Sequence, residues 1–162
     1  MATPNEMMVT STLLGDICAE ILSYSTQFST SRLTGFQHLQ DQFTITPDFI
    51  NSLSTLSFKR IREDAFVEKA DLPDHPNFSI LKIPPNTDVP KHRHNGYESL
   101  LFLKGEEFLS YNSNEIVHCQ TGDLLISLHD TAHLAKTRES ETLILGYWEK
   151  GSEGVQFSKD PD

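Results

Sequence analysis

The chain has 162 residues, of which 37% are hydrophobic and 22% are charged, which predicts one globular domain large enough to bury a core. Its formal net charge is −10, from 13 basic and 23 acidic residues. This acidic balance argues against a nucleic-acid partner, because phosphate binding needs a concentration of lysine and arginine.

Neither the cysteines nor the N-terminus indicates secretion. The two cysteines, Cys18 and Cys119, lie far apart in the sequence, and no CxxC pair suggests a zinc or redox site. The first residues, "MATPNEMMVTST", lack the basic and apolar regions of a signal peptide. No stretch is apolar for long enough to cross a membrane. We therefore expect a soluble cytoplasmic protein without a membrane partner.

Residues 1–55 are predicted to form an N-terminal helical extension that packs on the rest of the domain. Apolar residues recur here at helical spacing and predict an amphipathic helix. The residues on its apolar face are Leu13, Leu14, Ile17, Ile21 and Leu22. Pro47 predicts the start of a second, short helix with Thr46 as its N-cap. The predicted buried side of this second helix consists of Phe49, Ile50 and Leu53.

Residues 56–155 are predicted to form a β-barrel or a β-sandwich. Short strand-like runs are separated here by turn signals every eight to twelve residues, a pattern typical of all-β folds. The runs are "FSILKI", "ESLLFL", "EEFLSY", "EIVHCQ", "DLLISL", "HLAKT" and "TLILGYWE". Helices do not alternate with these strands, which disfavours a parallel α/β sheet. Residues 156–162 are predicted to be a flexible tail.

A basic cluster lies at the beginning of this β region. Lys59, Arg60 and Arg62 are followed directly by Glu63 and Asp64. Charges of both signs in one short run are typical of a solvated surface, and we interpret the cluster in that way.

The stretch "KHRHNGYESLLFLKG" combines metal-ligating side chains with large apolar ones. In a strand, residues two apart point to the same side, so His92 and His94 can face one point together. By the same alternation, Glu98 shares a side with Leu100 and Phe102. If that side is a barrel interior, the site is an apolar pocket with convergent polar groups, and imidazole with carboxylate suits iron, manganese, nickel, copper or zinc. The alternative is a pair of surface histidines beside a surface acid.

The spacing around these residues resembles that of the cupin superfamily. The family's first motif is a glycine, five residues, HxH, three or four residues, a glutamate, six residues and a glycine. The matching residues here are His92, His94, Glu98 and Gly105. The second motif supplies a late histidine, and Gly122 and His133 stand at its spacing in "GDLLISLHDTAH". The resemblance covers residues 78–150 and implies a double-stranded β-helix, or jelly-roll barrel.

Four positions depart from the family's motifs. Asn86 stands where the first motif begins with glycine, and asparagine is a side chain that tolerates positive φ well. Leu128 and Asp130 replace a proline and a glycine of the second motif, and Thr137 replaces its final asparagine. None of these changes removes a metal ligand, but they affect the expected shape of the turn over residues 128–133.

The resemblance implies that one divalent transition metal per chain, which could be iron, zinc, manganese or nickel, is bound inside the barrel. The implied ligands are His92, His94, Glu98 and His133. His129 competes with His133 for the last place, and the motif spacing favours His133. His129 would then face the substrate or support a ligand, and Glu98 and His129 are the candidate catalytic residues.

Four aromatic residues are candidates for the substrate pocket. Phe102 shares the predicted interior face with Glu98. Tyr111 ends a strand, where its phenol could reach a pocket mouth or cap a hairpin. Tyr147 and Trp148 point to opposite faces of the last strand, and the pattern does not say which of them faces inward.

Three classes of function fit this site, and the lowest in rank is a structural or storage cupin, because the ligand set is complete. The first is a metal-dependent enzyme acting on a small organic molecule, either an oxygen-dependent dioxygenase or a Lewis-acid isomerase or lyase. The second is a non-catalytic metal-binding sensor or regulatory cupin, because "HRHNGYESLLFLKGEEF" resembles the cupin domains of anti-sigma factors. The N-terminal region lacks the His-plus-CxxC zinc pattern expected of such a factor, so we favour the enzyme. A homodimer is expected, since many cupins pair through sheets or N-terminal extensions.

Overall fold

The computed structural model describes nine segments of the chain and shows a mainly β fold with short helices near the N-terminus. The described residues are 13–23, 35–38, 46–61, 66–72, 74–94, 98–111, 116–127, 133–148 and 155–157. For residues 35–38, 94, 127 and 155–157 the backbone alone is described.

Twelve strands in the described segments form two antiparallel sheets. Their bounds are β1 Gly35–His38, β2 Lys59–Arg60, β3 Glu68–Asp71, β4 Phe78–Ile83, β5 Asp88–His94, β6 Glu98–Lys104, β7 Glu106–Tyr111, β8 Ile116–Gln120, β9 Asp123–Ser127, β10 His133–Lys136, β11 Thr142–Trp148 and β12 Val155–Phe157. The seven-stranded sheet has the order β1-β9-β6-β11-β4-β3-β2, and the five-stranded sheet has the order β12-β5-β10-β7-β8. Strands that are distant in the chain therefore lie side by side, as in a jelly roll.

The strands predicted from the sequence agree closely with the structure. The runs "FSILKI" and "EEFLSY" are β4 and β7 residue for residue. Strands β1, β2, β3 and β12 were not predicted. The short strands β2 and β3 carry mostly charged residues without apolar alternation, which is typical of a sheet edge. β1 lies within the region predicted to be helical, and β12 continues the barrel to Phe157.

Strand β6 in the middle of the seven-stranded sheet is buried on both faces, which explains its unbroken apolar run. Leu101 and Leu103 belong to a cluster on the outer face of the sheet, whereas Leu100 and Phe102 belong to an inner cluster. Leu109 of the five-stranded sheet is also part of the inner cluster, so this cluster lies between the two sheets. A strand covered on both faces lacks the alternation of apolar and polar residues, as the run Leu100 to Leu103 shows.

Helix α1, residues 13–23, covers the outer face of this sheet. Its buried residues are Leu14, Ile17, Cys18 and Ile21, and all of them belong to the outer cluster. Leu22 was predicted on the buried face but is 39% exposed. The reason is that the buried positions form one narrow helical stripe, and Leu22 lies at its edge.

Helix α2, Pro47–Ser52, is the second predicted helix and continues into a 3₁₀ turn over Leu53–Thr55. Thr46 caps it as predicted, because its hydroxyl accepts a hydrogen bond from the Phe49 amide at 3.1 Å. Phe49 is buried in the outer cluster together with residues of α1. No helix in the described segments is long and apolar enough to cross a membrane.

Two of the departures from the family's motifs meet in space. Asn86 has a φ of 51°, the left-handed conformation that a glycine would adopt easily. Its amide donates to the carbonyl oxygen of Arg138 at 2.6 Å. The buried Thr137 hydroxyl donates to the Pro84 carbonyl at 2.6 Å and accepts from the Thr87 amide at 3.0 Å. The changed residues therefore join the turn before β5 to the end of β10.

Candidate functional site

A cavity of about 440 Å³ lies between the two sheets. Its wall combines a few charged and polar side chains with a larger set of apolar ones. The apolar residues are Ile61, Val67, Leu81, Ile83, Val89, Leu100, Leu109, Ala135, Ile144 and Trp148, and the others are Lys59, Arg60, Lys69, His92, Glu98, Glu107 and His133. A largely apolar cavity with a few polar groups is the usual form of a small-molecule site.

His92 and His133 line this cavity from neighbouring strands. They are direct partners across β5 and β10, and their ring centroids are 4.4 Å apart. His92 Nδ1 lies 2.8 Å from the carbonyl oxygen of Pro90, which can only accept, so Nδ1 carries the proton and donates it. In the neutral ring, Nε2 then keeps its lone pair, and histidines that bind metals are commonly oriented in this way.

Glu98 reaches the same cavity from β6 in the other sheet. Its buried carboxylate has Oε1 at 3.5 Å from His133 Nε2. Its Oε2 accepts a hydrogen bond of 2.7 Å from the indole nitrogen of Trp148, its cross-strand partner on β11. The predicted alternation, which puts Glu98 and Leu100 on one interior face, is confirmed.

Gly146 makes room for the Trp148 ring. The two residues lie two apart on β11 and therefore share a face of the sheet. A Cβ atom on Gly146 would lie 2.8 Å from Cζ2 of the indole and closer still to Cη2. The ring folds back over its own strand because that position has no side chain, and this placement brings its N–H to Glu98.

Two of the predicted site residues have side chains outside the part of the chain that the structure describes. His94 belongs to β5, with its backbone alone described, and His129 lies outside the described residues. Among the side chains that are described, no group of three or more histidines, cysteines and carboxylates is close enough to hold a metal ion. The predicted donors that do line the cavity, the imidazoles of His92 and His133 and the carboxylate of Glu98, are nonetheless of the type that suits a divalent transition metal.

Glu107 is a cavity residue that the sequence analysis missed. It is 2% exposed and pairs with the buried Cys119 across β7 and β8. Burial, and after it the charge of Glu98, raises the pKa of Glu107 to about 8. Alternation was the available signal, since in "EEFLSY" this residue shares a face with Leu109 and Tyr111, which are both buried.

The aromatic pocket candidates lie in different places. Trp148 lines the cavity, as predicted for one of the two last aromatic residues. Phe102 is fully buried in the inner cluster and does not line the cavity. Tyr111 lies beside His133, with ring centroids 5.3 Å apart. Tyr147 packs in the outer cluster on the opposite face of β11, so its assignment to the pocket is corrected.

The predicted solvated position of the basic cluster is confirmed for Lys59 and Arg60, which are exposed on β2. Both of them also line the cavity and therefore lie at its rim, which was not predicted. Arg62 lies outside the described residues. The charge pattern does not show this because the position depends on the pairing of β2 with β3, where Lys59 is the partner of Lys69.

Comparisons with known proteins identify the fold. No family model and no curated protein matches the chain. Among solved structures, the chain is similar to an RmlC-like cupin protein from Ralstonia eutropha, with a TM-score of 0.50 and 14% identity over 67% of this chain and 71% of that one. It is also similar to a structure described as DMSP lyases RdDddP and RnDddQII, with a TM-score of 0.68 and 11% identity over 96% of this chain and 98% of that one.

A third similar structure is that of Rhodobacter sphaeroides SigE in complex with the anti-sigma ChrR. The TM-score is 0.51, with 23% identity over 60% of this chain. The present chain spans half the length of the chain that it matches there. At such identities the likeness concerns the fold, and it agrees with the two antiparallel sheets and with the spacing of the motifs. The protein thus has the cupin fold, a double-stranded β-helix, as its sequence predicted.

Proposed function

We propose that this protein is a metal-dependent enzyme that acts on a small organic molecule in the barrel cavity. The proposed ligands of one divalent ion are His92, His94, Glu98 and His133. The observation that carries the proposal is the approach of His133 Nε2 to Glu98 Oε1, 3.5 Å apart and both buried at the cavity wall. An imidazole and a carboxylate that converge from opposite sheets are suitable donors for such an ion.

The neighbouring hydrogen bonds support this role because they orient the donors. The Pro90 carbonyl sets the tautomer of His92, and the Trp148 indole holds one oxygen of Glu98. Partners of this kind orient the ligands in metal sites. When bound, the metal would polarise a carbonyl or carboxylate of the substrate, or, if redox-active, would support oxygen-dependent chemistry.

The remaining residues of the cavity would bind the substrate and transfer its protons. The apolar wall excludes water, and the Glu107 carboxyl lies inside the same cavity. Glu98 and His129 remain the candidate catalytic residues for holding or moving a proton. We rank elimination or isomerisation first, since both need such groups, and the neighbour described as a DMSP lyase supports an elimination. Oxygen-dependent dioxygenation ranks second, and the homodimer stays a prediction.

A non-catalytic metal sensor is the alternative function. Its support is the similar structure that contains the anti-sigma ChrR. The cavity of about 440 Å³ favours the enzyme, because a site that only holds a metal needs no room for a small molecule. Turnover of carbonyl substrates, together with measurements of oxygen uptake, distinguishes the two functions.

We expect protein purified without added metal to contain about one divalent ion per chain. The His92→Ala and His133→Gln variants should contain less than about a tenth of that amount, because each loses one of four proposed donors. Elemental analysis of the purified proteins gives the metal content. Circular dichroism of the same samples verifies that each variant is folded.

The matched control is His118→Gln, since this histidine lies on the outer face of β8 with Nε2 2.7 Å from Glu106. It should keep its full metal content. His129→Gln should keep it as well, because the motif spacing assigns the last ligand to His133. Metal loss in His129→Gln with full occupancy in His133→Gln would exchange these two roles. Full occupancy in both His92→Ala and His133→Gln would contradict the proposed site.

A further inference from the structure

Two lysines reach the cavity from the edge of the seven-stranded sheet. Lys59 on β2 pairs with Lys69 on β3, and Lys69 pairs with Leu81 on β4. Leu81 in turn pairs with Ile144 on β11. Cross-strand partners point to the same face, and all four residues line the cavity. This lysine row, from Lys59 to Ile144, therefore leads from two ammonium groups at the rim to an apolar wall inside.

The lysine row and the proposed metal ligands are separated along the direction of the strands. On β11, Ile144 belongs to the lysine row, whereas Trp148 pairs with Glu98. The four residue steps from Ile144 to Trp148 span about 13 Å of strand. Gly146 lies halfway, and its partner on β6 is the apolar Leu100. A molecule that contacts both ends thus needs a polar group at each end and an apolar body between them.

The rim carries an excess of positive charge. Lys59 and Lys69 lie on the cavity face of the sheet, whereas Arg60, which also lines the cavity, pairs with Glu68 across β2 and β3. The exposed Asp71 offsets part of this charge, with Oδ1 3.4 Å from Lys69 Nζ. The pKa of Asp71 is lowered by its hydrogen bond from Ser79 and then by the charges of Lys69 and Lys59. Among the residues that the structure describes, Lys59 and Lys69 outnumber the single carboxylate of Asp71 on this face and create a positive potential, in a chain whose net charge is −10.

We propose that the cavity takes a small organic acid, whose anionic group binds Lys59 and Lys69 at the rim and whose apolar body extends toward Glu98 and His133. This names the substrate class of the proposed enzyme. The reaction at the Glu98 end of the bound acid rests on the proposed function. Binding of its anionic group does not, because the lysine row contains none of the proposed metal ligands.

The fluorescence of Trp148 gives a direct measurement, because this residue is the only tryptophan of the chain and lines the cavity. Titrations compare octanoate with octanamide, its neutral counterpart of the same length. Octanoate should bind about tenfold more tightly, as expected of two partly solvated ion pairs. Added salt should reduce the difference. The preference should persist in EDTA, which separates the lysine row from binding of the carboxylate to a metal.

Variants that remove charges at the rim locate the anionic group. In Lys59→Gln/Lys69→Gln, the affinity for octanoate should fall about tenfold and that for octanamide should not change. Lys82→Gln is the matched control, since Lys82 lies on the outer face of β4, 3.3 Å from Glu68, and should bind octanoate as the wild type does. Asp71→Asn should tighten the binding of octanoate, because it removes the carboxylate that competes for Lys69.

Three results would overturn the anionic site: equal affinities for octanoate and octanamide, an equal loss of affinity in Lys82→Gln, or disappearance of the preference in EDTA. None of them bears on the metal content of the protein. Conversely, purified protein without metal would remove the basis of the proposed enzyme and leave the binding measurement at the rim intact. The two proposals therefore fail separately.

Discussion

Replacement of Glu107 by glutamine should stabilise the protein by an amount that grows as the pH rises. Burial raises the pKa of this carboxyl from 4.5 to about 8, so the folded protein holds a proton that the unfolded chain releases. The wild type therefore loses stability from a pH of about 4.5 upward until the pH passes about 8. One such group contributes a slope of about 1.4 kcal/mol per pH unit. The difference in the free energy of unfolding between the variant and the wild type should therefore grow by about 3 kcal/mol from about pH 5.5 to 7.5.

Denaturant unfolding at a series of pH values, in EDTA so that no metal contributes, measures this difference. Glu141→Gln is the control, because the Glu141 side chain is 42% exposed and lies 3.8 Å from Lys104 in a surface ion pair. Its free energy of unfolding should stay within about 0.5 kcal/mol of the wild type at each pH. Parallel pH curves for the wild type and Glu107→Gln would show that this carboxyl is already ionised in the folded protein at neutral pH.

Replacement of Gly146 by alanine should destabilise the protein by about 3 kcal/mol, the upper part of the usual range for overpacking a core. The added methyl group would overlap the Trp148 ring, which must move and release its hydrogen bond to Glu98. Urea unfolding measures the change in stability. The emission maximum of the only tryptophan should shift to longer wavelength, and metal affinity should fall about tenfold because Glu98 loses an orienting partner.

Gly15→Ala is the matched control for this substitution. Gly15 lies in α1, and a Cβ atom there would be 3.6 Å from Cε1 of His75, an ordinary contact. Alanine should leave the stability unchanged or raise it by up to about 1 kcal/mol, since it is the better helix former. The tryptophan emission should not change. An unaltered emission spectrum in Gly146→Ala would mean that the indole does not lie over that glycine.

The barrel strands and the cavity positions of three candidate residues were predictable because they follow local rules. Turn residues mark where the strands end, and Gly105 and Gly122 do adopt the positive φ that such turns need. Once the strands are known, alternation assigns faces, and His92 and Glu98 lie on the cavity wall as that rule requires. The spacing of the second motif adds His133.

The remainder of the site depends on contacts between segments distant in the chain. Alternation predicts that Tyr147 and Trp148 point to opposite faces of β11, but it does not say which of them faces the cavity. The packing of Tyr147 against the outer cluster gives the answer. Lys59 and Lys69 come together through the pairing of two short charged strands, for which no apolar pattern exists. Glu107 is different, because its alternation with Leu109 and Tyr111 already indicated a buried position. It was overlooked because a charged residue is not normally expected in a core.

The position of β1 has a consequence for synthesis of the protein on the ribosome. Residues 35–38 pair with residues 123–126 of β9, and strands β2 to β8 lie between them in the sequence. The outer cluster that receives α1 likewise includes Leu124 and Ile126 of β9. Bringing β1 to β9 closes a long loop, and the entropic cost of this closure precedes any stabilising contact between the two strands. The segment with α1 and β1 leaves the ribosome before β9 and can dock on it only after β9 has been made, and until then the apolar face of α1 is exposed to chaperones.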